Sequence, residues 1–110
     1  MIVVRMIMNV LPEKQKEVMQ TLLSMIESPA KDSRYLSYGI FCDIEDKNVF
    51  NLISEWETRK DLDNHIASYR FSVLLGTKSL LCEPPQIEIH TVSHSEGMEA
   101  VDAARSKRTQ

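Results

Sequence analysis

His65 is the side chain best suited to move a proton. Its imidazole titrates near neutrality, so it can take a proton and give it back within one turnover. It stands beside Ile66 on the helical-spacing stripe Leu62, Ile66, Tyr69, which turns it towards the core. The competing role is a core histidine that is hydrogen-bonded to the chain or that fixes a helix. Asn9 ends an otherwise apolar run, IVVRMIMN. Its amide can donate to an oxygen on which negative charge develops, or it can bond the turn that follows. Trp56 can wall an aromatic pocket, or fill the core with its N–H satisfied. Arg70 reads as a solvated charge on a helix surface, with the holding of an anion as the alternative. His90, His94 and the two cysteines, Cys42 and Cys82, form neither a metal triad nor a zinc spacing, so no metal site is expected.

The stretch that must position His65 is FNLISEWETRKDLDNHIASYRFSVLLG, residues 50–76. Phe50, Leu52, Ser54 and Trp56 alternate with Asn51, Ile53, Glu55 and Glu57, the period of a strand. The period then changes. Thr58 and Asp61 fit a capping pattern that opens a helix. Ser68 can open a second short helix, and Gly76 is placed to end it in a left-handed conformation.

The remaining elements follow the same logic. Residues 2–9 are β-branched and apolar on both faces, as in a central strand. Pro12 suits a first helical turn, Val18, Met19, Leu22, Met25 and Ile26 recur at helical spacing, and Ser28-Pro29 stops the helix. After a polar loop from Ala30 to Arg34, Leu36, Tyr38, Ile40, Cys42 and Ile44 share one face of a second strand. A charged hairpin turn at 45–48 leads to the third strand. Pro84-Pro85 forces an extended entry into a fourth strand over 87–92. The order is βαββαβ: an α+β, ferredoxin-like antiparallel sheet with helices on one face. Residues 1–92 form that domain, and 93–110 are a polar tail, at most a marginal helix.

Composition narrows the function classes. A length of 110 residues supports one domain, and 43% hydrophobic with 26% charged residues is an ordinary globular mix. A net charge of −3 argues against nucleic acid or an anionic membrane as partner. Arg5 and Pro12 break any signal-peptide pattern, no run is long enough to span a bilayer, and two free thiols suit the cytoplasm. The opening strand is apolar on both faces while helices cover only one. The expected consequence is a homodimer with sheets packed face to face.

With the strand ending in Asn9, the segment RYLSYGIFCDIEDKNVFNLISEWET, the run DLDNHIASYRF and the close PPQIEIHTV, the chain resembles the antibiotic biosynthesis monooxygenase (ABM) domains of the dimeric α+β barrel superfamily. The resemblance spans about residues 2–92. It implies a small dimer with a pocket between sheet and helices in each subunit. Such proteins oxidise quinols or aromatic polyketides with O2 and no cofactor, and the substrate supplies the electrons. On that footing His65 is the base, Asn9 the anion-stabilising donor, and Trp56, Tyr69 and Phe71 the substrate pocket. Arg70 stands where many relatives carry a second histidine. In haem-degrading relatives a histidine late in the helix binds iron; the matching position here, Leu75, cannot, so no haem is expected. The alternatives are a dimeric small-molecule-binding module without turnover and a non-oxidative isomerase using the same base.

Overall fold

β1 (Ile2–Asn9) sits between two antiparallel neighbours, β3 (Val49–Trp56) and β4 (Gln86–Thr91), and β2 (Tyr35–Cys42) closes the other edge against β3. The sheet order is β2-β3-β1-β4, the four-stranded α+β ferredoxin-like arrangement expected from βαββαβ. The computed structural model describes residues 1–27 and 34–108. The helix stop at Ser28-Pro29, and the loop expected after it apart from Arg34, lie outside the described residues. Among the described residues no helix is long and apolar enough to cross a membrane.

Alternation decides which side chains meet the helices. Ile2, Val4, Met6 and Met8 of β1 are buried, as are Phe50, Leu52, Ser54 and Trp56 of β3. Register keeps them on one face: Ile2 opposes Trp56, Val4 opposes Ser54 and Met6 opposes Leu52. The helices α1 (Gln15–Glu27), α2 (Arg59–Ile66) and α3 (Tyr69–Leu75) contribute Val18, Leu22, Leu62, Phe71 and Leu74 to this core. The buried residues form two clusters. Tyr38 and Ile66 pack against both, which places them at the seam.

The opposite face is mixed rather than wholly apolar. Val3, Ile7 and Ile53 are half-buried there and Phe41 is exposed. Arg5 Nε lies 3.0 Å from Asn51 Oδ1, and Arg5 Nη1 3.9 Å from Glu88 Oε1.

Several local expectations need correction. The second strand ends at Cys42, and Ile44 lies in the turn, 99% exposed. That turn is held by Asp43 Oδ1, which accepts from the amides of Glu45 (2.8 Å) and Asp46 (3.2 Å). A bulge at the start of β2 pairs Tyr35 with Trp56 and Ser37 with Glu55, so Leu36 drops out of the expected face and is exposed. Met19 is exposed because α1 buries only the narrower stripe Val18, Leu22, Met25. Gly76 is right-handed, φ −64° and ψ −18°, because the chain continues into a 3-10 turn over Gly76–Leu80 instead of reversing. The fourth strand covers Gln86–Thr91 and all six residues are exposed. In the tail, α4 (Met98–Arg108) does form, with Met98 and Val101 exposed.

Candidate active site

The joint between α2 and α3 is built from two caps. Thr58 Oγ1 accepts from the Asp61 amide at 3.1 Å and donates to Asp61 Oδ2 at 3.0 Å, starting α2 as its sequence implies. At the far end of α2, the Ser68 hydroxyl donates to the His65 carbonyl at 2.6 Å and accepts from the Phe71 amide at 3.3 Å. One side chain therefore closes α2 and opens α3, and it holds the His65 backbone while doing so.

The His65 ring lies among aromatic rings. Its centroid is 4.7 Å from that of Trp56, with the planes 30° apart. Phe71 at 5.5 Å and Tyr38 at 5.7 Å meet it edge to face. Trp56 is fixed in turn: it is fully buried, and its Nε1 donates to Ser54 Oγ at 2.9 Å. Tyr35, brought onto this face by the bulge, touches both Trp56 (6.0 Å) and Tyr38 (5.4 Å).

The electrostatics follow from burial. Desolvation lowers the His65 pKa below its ordinary 6.5, and the nearby Arg70 charge lowers it further. The ring is therefore neutral at pH 7, the form in which it can accept a proton. Tyr38 is pushed up to about 12 by burial, with Arg70 opposing and Tyr35 adding to the rise. Tyr38 thus keeps its proton and remains a donor. Its hydroxyl is buried and has no hydrogen-bond partner among the described residues.

Tyr38 and His65 both line a cavity between sheet and helices, closed mainly by apolar groups such as Met6, Leu52, Ile66 and Phe71. Its volume is about 10 Å³, room for about one water molecule. An aromatic ring is larger than this.

Of the residues singled out in the sequence, His65, Trp56 and Phe71 come together. Trp56 packs on His65 without lining the cavity. Asn9 does not join them. It lies three residues beyond Met6, the cavity-lining residue of β1 nearest to it, roughly 10 Å along the strand, and it alternates onto the face opposite Met8. Its Nδ2 donates to Glu83 Oε1, and its carbonyl accepts from the Cys82 amide at 2.7 Å. This is the second of its two sequence readings, a strand-end residue bonding nearby chain. Tyr69 is 82% exposed. The stripe carried the period of α2 past Ser68, where the expected second helix opens and resets the phase so that Phe71 and Leu74 turn inward instead. Arg70 is half-buried beside the site rather than a purely solvated charge. His90 and His94 are exposed, near Glu88 (3.5 Å) and Glu96 (3.4 Å). Among the described residues no three His, Cys, Asp or Glu side chains could share a metal ion.

Sequence reasoning placed Tyr38, with Tyr35 and Tyr69, as a pocket or interface residue and gave it no individual role. The available signal was its alternation with Ile40, which puts it on the core face of β2, opposite Ser54.

Known structures repeat this arrangement of sheet and helices. A protein described as an antibiotic biosynthesis monooxygenase is 22% identical, with a TM-score of 0.76 over 86% of this chain and 100% of its own. A conserved protein from Methanosarcina mazei is 29% identical, with a TM-score of 0.75 over 81% of this chain and 89% of its own. A Mycobacterium tuberculosis protein is 16% identical, with a TM-score of 0.77 over 87% and 98%. No curated protein sequence matches the chain. The model of one family, antibiotic biosynthesis monooxygenase, matches residues 1–73, from the opening strand through the aromatic box around His65 to the first turns of α3. The chain belongs to the antibiotic biosynthesis monooxygenase family.

Proposed function

We propose that the protein is a monooxygenase acting with O2 on a small quinol-like or polyphenolic compound, with His65 as the base and no metal or flavin in the reaction. The observation that carries this reading is the neutral, half-buried imidazole packed among Trp56, Phe71 and Tyr38 at an apolar cavity. A base kept neutral by burial can remove a proton from a phenol or an activated methylene. The resulting electron-rich anion can reduce O2 directly. For an anthrone-type methylene, one dioxygen molecule converts the methylene carbon to a carbonyl and releases one water. Both C–H bonds break, one oxygen atom becomes the carbonyl, and the other leaves as water with the two hydrogens. The apolar lining keeps bulk water from the anion.

The small cavity favours a second reading, a binding module without turnover, because a ring enters only if a wall moves. One experiment separates the two. Chelator-treated, flavin-free protein is given an anthrone under isotopically labelled dioxygen. Accelerated O2 uptake with one labelled atom in the product supports the oxygenase. Binding without uptake supports the module, and turnover under nitrogen points to an isomerase.

The working unit in this reading is a homodimer joined through the face that the helices leave open. Val3, Ile7, Ile53 and Phe41 supply its apolar surface.

A further inference from the structure

We infer that the cavity beside His65 is the site of one ordered water, held by the hydroxyls of Tyr38 and Ser54 and by the imidazole of His65. Through it the indole of Trp56 is linked to the imidazole by an unbroken run of hydrogen bonds. The water belongs to the resting protein, whether or not the protein turns over a substrate.

Three polar side chains line an otherwise apolar cavity: Tyr38, Ser54 and His65. Register sets Tyr38 directly across from Ser54 on the two strands, and the Tyr38 and His65 rings meet edge to face at 5.7 Å. Each of the three has hydrogen-bonding capacity left over. Among the described residues the buried Tyr38 hydroxyl has no partner. Ser54 Oγ accepts from Trp56 Nε1 at 2.9 Å, and its own proton is left to donate. His65 is held neutral by burial and then by Arg70, so one of its ring nitrogens is an acceptor. Buried polar groups nearly always find a partner, ordered water included. A volume of about 10 Å³ suits one water and no larger ligand.

The donor and acceptor roles then close. An indole N–H can only donate, so Ser54 turns its proton away from Trp56. The water accepts from Ser54 and from Tyr38, whose hydroxyl keeps its proton because burial pushes its pKa up to about 12. It donates to the neutral imidazole. Three hydrogen bonds are the usual number for a buried water. Direction is uniform from Trp56 through Ser54 and the water to His65, so each bond polarises the next. A ligand ring that reaches His65 must first displace this water, and a polar atom on that ring must reproduce its bonds.

Two measurements on the full chain without substrate test the site. A wild-type crystal structure that shows ordered water should place one oxygen within about 3.2 Å of Tyr38 Oη, Ser54 Oγ and a His65 ring nitrogen. Tyr38→Phe then reads the energetics by sign. If the hydroxyl bonds a water, its removal should raise the unfolding equilibrium constant in urea by roughly three- to tenfold. A bare buried hydroxyl predicts the reverse, since its removal relieves an unpaired polar group. A dry cavity, a water that misses any of the three side chains, or a Tyr38→Phe protein as stable as wild type or more so would each overturn the inference. Neither readout involves O2, so failure of the oxygenase reading leaves both intact.

Discussion

Ser54→Ala tests how the wall of the site is held. Ser54 is 5% exposed, and its hydroxyl is the acceptor for Trp56 Nε1 at 2.9 Å. Trp56 itself is fully buried, so water cannot replace the lost acceptor. An unsatisfied buried donor costs about 1–3 kcal/mol. For a domain near this size each kcal/mol moves Tm by roughly 5 °C, so a fall of about 5–15 °C is expected. Thermal and urea unfolding followed by circular dichroism measure it. The urea slope should stay constant while the midpoint falls, because the change alters stability and not the surface exposed. Trp56→Phe removes the donor instead, and in that background Ser54→Ala should cost about 1 kcal/mol less than in the wild type. The reasoning is refuted if Ser54→Ala costs under about 0.3 kcal/mol, or if its cost is the same with Phe replacing the tryptophan.

The remaining expectations are narrower. His65 has its pKa lowered by burial, then by Arg70, so the fold favours the neutral ring; that stabilisation is full above 6.5 and is lost as pH falls through the lowered value. Trp56 is the only tryptophan and stacks on this ring, so imidazolium quenching of its fluorescence should titrate below 6.5 and vanish in His65→Gln; a midpoint at or above 6.5 contradicts the placement. Gly76→Ala should stabilise by about 0.4–1 kcal/mol in urea unfolding, since φ is negative and an added Cβ meets nothing within 4 Å. A loss of stability would indicate a left-handed Gly76 after all. Ile7→Arg should give a folded monomer by sedimentation, whereas Met6→Arg on the core face should not fold. A wild-type monomer at micromolar concentration would contradict the dimer.

The fold was legible because periodicity reports burial directly. β3 alternates cleanly, and both helix caps announce themselves through Thr58 and Ser68. What stayed hidden depends on events between elements. The bulge beside Leu36 changes which β2 residues share a face, and no local pattern marks it. Tyr69 was misplaced although Ser68 announces a new helix, because the phase in which that helix restarts is set by the joint between the two caps and not by the stripe up to Ile66. Asn9 shows the limit of residue type as evidence. Its amide can serve an oxyanion, but where it points is set by strand alternation and by Glu83, far along the chain. Alternation with Ile40 puts Tyr38 on the core face, but that its hydroxyl has no hydrogen-bond partner among the described residues is a property that no sequence states.

The central claim is that His65 is the base, and the most direct measurement compares O2 uptake by wild-type and His65→Ala protein with the same anthrone, with and without added imidazole. The variant should lose roughly 10²–10⁴-fold in rate, and imidazole should restore part of it, since Ala leaves space beside Trp56 for a free base. Full activity in His65→Ala would remove His65 from the mechanism and contradict the account.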